Sequence, residues 1–182
     1  MTIALLRGRD VTGMPVVDIS TGDDVAEIRD LIFEPAEGVV GGFTLASRGF
    51  LGRRMGQVLP VDRMRSLGTH AVTIESTGAL ADVESARRSD HRGDVTNDVV
   101  VTESGRELGR VKDVILRGGP QPRVVGFEIG GGSAGDGFVP IDTSGVVSAS
   151  ALIVPDSFEN LVRTDLTGLA GEVENLERGG SS

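Results

Sequence analysis

The sequence predicts an all-β fold in which one small β-rich unit is used twice, followed by a short C-terminal helix. Two observations carry this. Three segments recur in one order: GDDVAEIRDLIF (22–33) as GRELGRVKDVIL (105–116), VVGGFTL (39–45) as VVGFEI (124–129), and LPVD (59–62) as VPID (139–142). An internal period of roughly 80 residues marks a duplicated structural unit. The composition also suits short strands and tight turns: 27 of the 182 residues are glycine, 38% are apolar and mostly aliphatic, and there is no Trp or Tyr.

In the first unit, TGMPVVDIS (12–20) reads as a strand that Thr21, Gly22 and Asp23 turn into a second, 24–33. A helix competes for 24–33, because Val25, Ile28 and Ile32 also fit a 3.6-residue period. The second copy decides for a strand: Val111, Val114, Ile115 and Leu116 form a β-branched-rich run bounded by glycines. PAEG (35–38) is a turn and 39–46 the next strand; after a loop, a strand at 57–61 contains Pro60. DRMRSL (62–67) reads as one helical turn that Asp62 can cap, and 71–75 as the last strand.

From 76 to 94 the pattern breaks into small polar residues with Arg87, Arg88 and Arg92, a linker with one helical turn at 80–86. The plan then repeats in strands at 98–102, 107–116, 123–130, 137–141 and 151–154. In the tail, Thr164 or Asp165 caps a helix carrying Leu166, Leu169, Ala170, Val173 and Leu176 at helical spacing, with Gly179 and Gly180 as its stop. Gly168 and Gly171 make this a poor autonomous helix, so it needs a packing partner in the β units, a second copy or another protein. The expected division is 1–76, a linker at 77–93, 94–156, and a tail at 157–182.

Composition also narrows function. A net charge of −9 repels a phosphate backbone, which argues against nucleic acid unless a local basic patch opposes the global field. The absence of cysteine removes disulfides, thiolate zinc sites and cysteine nucleophiles. MTIALLRGRD holds only a four-residue apolar run, too short for a signal peptide, and no run approaches the roughly 18 apolar residues of a membrane span. The expected setting is soluble and cytoplasmic.

The pattern Gly–x–x–Leu–Gly–x–Val–x–Asp–Val–Ile at 105–115, then Val–x–Gly–Phe–x–Ile at 124–129 and Val–Pro–Ile–Asp at 139–142, resembles the PRC-barrel family. That family includes the barrel of the photosynthetic reaction-centre H subunit and of a ribosome maturation factor. The resemblance covers roughly 9–76 and 94–154 in register. It implies two tandem small antiparallel β-barrels, each a strongly bent closed sheet. It implies no shared active site; family members look like adaptors that dock on reaction-centre subunits, a ribosomal protein or cell-division assemblies. The extra domain expected of the ribosome factor and the membrane helix of the H subunit have no counterpart here, so neither specific role is carried over.

Candidate chemistry is sparse. Asp30 and Asp113 occupy equivalent positions on the parity of Ile28, Ile32, Val111 and Ile115, and two inward carboxylates suit acid–base work. They belong to different units, and repeated structure explains the match without catalysis; each can accept backbone N–H bonds or an arginine. GGGSAGDG (130–137) meets part of a dinucleotide fingerprint, but a strand follows it where a helix is needed, so it reads as a hairpin loop. Lys112, the one lysine, lies mid-strand outside any phosphate-loop motif, and His70 and His91 have no third ligand at metal spacing. Ser133, Ser144 and Ser157 lack a nucleophile-elbow context. No cofactor or metal is expected.

The most distinctive surface is the loop Arg48–Gly49–Phe50–Leu51–Gly52–Arg53–Arg54–Met55. Arginine and aromatic side chains anchor protein interfaces, and methionine packs adaptably. In the other reading, Phe50 and Met55 plug a barrel mouth while the arginines are solvated or pair with nearby carboxylates. The expected function is a non-catalytic adaptor for a protein partner of unstated identity, in a homodimer. Its contacts are this loop (Arg48, Phe50, Leu51, Arg53, Arg54, Met55) and the helical face of Leu166, Leu169, Val173 and Leu176. An RNA- or ribosome-associated factor, a scaffold held weakly at a membrane surface, and a ligand sensor with a cavity between the barrels are the alternatives.

Overall fold

A computed structural model describes residues 4–34, 39–48, 54–83, 95–141, 146–147 and 151–179. The chain forms two compact units: one gathers the described residues of 1–34, 39–93 and 117–123, the other those of 94–116 and 124–182.

The first unit opens with a short strand β1 (Leu5–Arg7) and a single helical turn α1 (Gly8–Val11), both absent from the sequence reading. Strands β2 (Pro15–Asp18), β3 (Asp24–Glu34), β4 (Val39–Ala46) and β5 (Arg54–Pro60) follow as an antiparallel meander. β6 (Ser66–Leu67) and β7 (Val72–Ile74) form a hairpin, and β7 lies parallel to β2. A 3-10 turn at Thr77–Ala79 then carries the chain to β8 (Ala81–Asp82), which pairs with Gln57 and Val58 on the far side of the meander. Leaving one side of a sheet and hydrogen-bonding to the other requires the sheet to curl.

The second unit repeats this plan. β9 (Val99–Thr102), β10 (Glu107–Arg117), β11 (Arg123–Gly130) and β12 (Gly137–Pro140) are neighbours in that order. β14 (Ala151–Val154) lies parallel to β9, and a two-residue β13 (Val146–Val147) pairs with β14. A 3-10 segment, Asp156–Leu161, leads to a bridge between Arg163 and Phe138 on β12, the counterpart of β8 on β5. Helix α2 (Leu166–Gly179) follows.

The registers show how deep the repeat runs. Gly42 faces Pro60 and Phe43 faces Leu59; Gly126 faces Pro140 and Phe127 faces Val139. Both long strands bulge at the same place: Val16 and Val17 face Ala26 and Asp24, Val100 and Val101 face Gly109 and Glu107. A bulge leaves one extra residue on the longer strand and sharpens its twist, as a tightly bent sheet requires. The cores match too, with Val16, Phe43, Leu45, Leu59 and Ile74 buried in one unit and Val100, Phe127, Ile129, Val139 and Val154 in the other.

A further match had escaped the sequence reading. Val11–Thr12–Gly13 and Val95–Thr96–Asn97 make the same turn: Met14 N–H donates to Val11 O (3.1 Å) and Asp98 N–H to Val95 O (3.0 Å), while Gly13 and Asn97 donate to Ile28 O and Val111 O, each at 2.8 Å. Thr12 at φ −61°, ψ 129° followed by Gly13 at φ 85° is a type II turn, and Asn97 takes φ 72° at the matching position. This turn is why the strand expected at 12–20 begins only at Pro15.

Two local expectations are corrected. The helical turn placed at 62–67 is a 3-10 turn at Val61–Arg63, with Pro60 rather than Asp62 in the cap position. Ser66 and Leu67 go into a strand because they pair with Thr73 and Val72. The helical turn placed at 80–86 is preceded by strand β8 at Ala81–Asp82; Val83 is helical, and 84–86 lie outside the described residues.

Candidate functional site

The contact residues singled out from sequence fall into two places, and the structure adds a third. In the β4–β5 connection, Arg48 stands two residues past the end of β4; its guanidinium forms an ion pair with Asp24 and lies 3.7 Å from Glu27 Oε1, both on β3. Arg48 is thus held by carboxylates of its own unit. Phe50, Leu51 and Arg53 lie outside the described residues, as does the side chain of Arg54, the first residue of β5; Met55 is half-buried in that strand.

The helical face divides. Leu169 and Val173 are buried within the second unit, where α2 packs on β12, so these two are not an exposed contact surface: the partner the helix needed is its own sheet. The physical reason sits beneath them. A Cβ on Gly126 would come within 3.3 Å of both Leu169 methyl carbons and 2.6 Å of Val139 O, so glycine there opens a notch for the leucine. Asp165 caps the helix, accepting from Gly168 N–H at 2.7 Å. Leu166 and Leu176 remain half-buried.

The third place is a corner present in both units, which the sequence reading missed. Asp18 ends β2 opposite Ile74, is only 4% exposed, and accepts from Ser20 Oγ (2.6 Å), Ser20 N–H (2.8 Å), Thr21 N–H (3.3 Å) and Thr77 N–H (3.2 Å). One carboxylate therefore ties the β2–β3 turn to the 3-10 turn after β7. The Ser20 hydroxyl foremost, then these backbone donors, hold its carboxyl below the usual carboxylate range against the opposing effect of burial. In the second unit the position of Asp18 is Thr102, opposite Val154, and the carboxylate comes from the other side as Asp156, two residues after Val154. Asp156 accepts from Ser104 N–H at 2.9 Å, and Thr102 Oγ1 accepts from Arg106 N–H at 3.2 Å. Hydrogen bonds from Ser104 and Thr102 lower the Asp156 carboxyl as well.

The chemistry weighed from sequence resolves into structure. The parity that would turn Asp30 inward is broken by the irregularity between Ile28 and Asp30, and Asp30 is exposed, accepting from Thr44 Oγ1 at 3.3 Å beside Arg29. Asp113 accepts from its neighbour Val114 N–H at 2.8 Å. The glycine-rich run joins β11 to β12 as a hairpin loop fastened by Lys112 to Asp136 at 2.9 Å and by Ser133 Oγ to Glu107 O at 2.5 Å. An open hollow of about 620 Å³ beside it is lined by Arg106, Glu107, Gly131, Gly132, Ser133 and Glu159, with Arg106 and Glu159 ion-paired. His70 is exposed on a turn, Nδ1 2.8 Å from Thr69 Oγ1, while His91 and Ser144 lie outside the described residues. Among the described residues no group of three His, Asp or Glu side chains could hold a metal, and no helix is long and apolar enough to cross a membrane.

A family model for the PRC-barrel domain matches residues 5–81 and, a second time, residues 91–161. The chain belongs to the PRC-barrel family. No curated protein matches it. The first PRC-barrel match runs from β1 to the start of β8, and the second takes in β9 to β14 with the 3-10 segment. Helix α2 begins five residues beyond the second match and is an addition to the PRC-barrel unit.

Proposed function

We propose that this chain is a non-catalytic adaptor in which two PRC-barrel units, each closing as a small barrel, present surface loops to a protein partner from within a cytoplasmic homodimer. The observation that supports this is how the two copies diverge. The core, the pairing of Gly42 with Pro60 and Gly126 with Pro140, the first bulge of each long strand and the turn ahead of it are kept, while the loops at one equivalent place differ in kind: Arg- and Phe-bearing between β4 and β5, Gly-rich and acidic between β11 and β12. A scaffold held constant beneath loops of changing chemistry is how recognition modules acquire different specificities.

Affinity capture of the tagged chain from its own lysate tests this, with wild type beside an Arg53→Glu, Phe50→Ser double variant and both proteins and nucleic acids identified. A protein recovered by wild type and lost by the variant supports the adaptor and its loop. Retained capture by the variant removes the loop from the reading. RNA or ribosomal particles that elute steeply with salt would replace it with a nucleic-acid factor, and co-sedimentation with anionic vesicles would replace it with a membrane-surface scaffold.

A further inference from the structure

Helix α2 is built to be weak where nothing requires it. It has 14 residues, a length that is marginal in isolation, and its interior carries Gly168 and Gly171, each disfavouring helix about fivefold relative to alanine. Gly168 has a steric reason, since its Cβ would meet the Arg163 side chain at 3.1–3.3 Å. Gly171 has none: a Cβ there would meet nothing within 4 Å. Its fully buried side chains are Leu169 and Val173; Leu166 and Leu176 are half-buried, and Arg163 forms an ion pair with Glu172.

Its attachment is a pivot. Up to Arg163 the chain is fixed to the edge of β12, with Phe138 N–H donating to Arg163 O (2.7 Å) and Arg163 N–H to Phe138 O (2.9 Å). Thr164 and Asp165 are exposed, and the helix starts at Leu166. Beneath it lie the Gly126 notch and β12, all four of whose residues are buried.

We propose that α2 is a displaceable strap. It swings about Thr164–Asp165 while the sheet beneath stays folded, and the vacated groove accepts an amphipathic helix of a protein partner with a leucine and a valine one turn apart. The helix now seated there defines that chemistry: a leucine for the notch, a branched side chain four residues on, and a carboxylate for Arg163. The partner rests on the adaptor reading; the opening is a property of the chain alone.

Hydrogen–deuterium exchange on the full chain tests the opening. Amides of α2 should exchange together, at least about a hundredfold faster than those of β11, and Gly171→Ala should slow α2 about fivefold with β11 unchanged. Exchange of α2 at the rate of β11, or an α2 rate indifferent to Gly171→Ala, overturns the strap. The groove is tested with a labelled peptide of residues 165–179, which should bind Leu169→Ala at least about tenfold more tightly than wild type, because apparent affinity scales with the open fraction. Equal binding overturns the groove. If Leu169→Ala folds poorly, Glu172→Ala, which removes the ion pair to Arg163, takes its place with a severalfold gain expected. A wild-type dimer that the free peptide dissociates would assign the groove to the helix of a second copy and overturn the choice of occupant. An empty lysate capture would count against the adaptor and leave the exchange result untouched.

Discussion

Replacing Gly42 with alanine separates two reasons for a glycine. Gly42 sits at φ 156° opposite Pro60, and an added Cβ would lie 2.4 Å from Leu59 O and 3.1 Å from Pro60 Cα. These are backbone atoms of a paired strand, so relief means prising β5 from β4. Overpacking costs about 1–3 kcal/mol and the positive φ about 1–2 kcal/mol, which makes roughly 2–5 kcal/mol together. For a unit of this size that is a melting shift of at least about 10 °C. Gly13→Ala is the control: φ is 85°, but its Cβ would meet nothing within 4 Å, so only the conformational cost of about 1 kcal/mol applies. With no Trp or Tyr, the measurements are calorimetry and urea unfolding followed by far-UV circular dichroism. Equal losses in the two variants would refute the close approach of β4 and β5 at Gly42.

Three further outcomes follow from the geometry. Asp18 has its folded-state pKa depressed, foremost by the Ser20 hydroxyl, so its stabilisation is complete above the ordinary carboxylate value and is lost as pH falls through the folded one. Asp18→Asn should therefore flatten the decline of melting temperature below about pH 4; an unchanged acid slope would show that Asp18 does not titrate differently on folding. Asn97→Gly should leave stability within about 0.5 kcal/mol, and Asn97→Ala should cost about 1 kcal/mol in urea unfolding, because only alanine resists φ 72°. Arg48→Ala should cost less than about 1 kcal/mol, its ion pairs with Asp24 and Glu27 being partly exposed to solvent; a larger loss by denaturation would mean that Arg48 has a structural role beyond them.

The repeat was legible wherever a side chain or glycine is needed for a reason both units share. Gly42 and Gly126, Phe43 and Phe127, and the Leu59 and Val139 strands carry the close approach and the core, and their segments align by eye. The turn before each unit was hidden by one substitution, glycine to asparagine, although Val11–Thr12 and Val95–Thr96 were there to be matched. β8 and the bridge at Arg163 escaped because a two-residue pairing has no periodicity. Bulges defeated the parity argument for Asp30, since each extra residue turns the following side chains over. Of the two caps the tail offers, Thr164 and Asp165, the structure uses Asp165; what covers the helical face depends on a notch made by the distant Gly126, which no local pattern reveals.

The corner carboxylate has a genetic consequence. One copy draws its acid from the strand before the turn, Asp18, and leaves Ser76 opposite; the other keeps Thr102 on that strand and draws Asp156 from the far side. A crossover between the halves that joins Asp18 to the segment carrying Asp156 would crowd two acids into one corner. The reciprocal product, Thr102 with Ser76, would have none to fasten the turn. Either unit therefore needs its two corner positions as a matched set: Asp18 with Ser76, or Thr102 with Asp156.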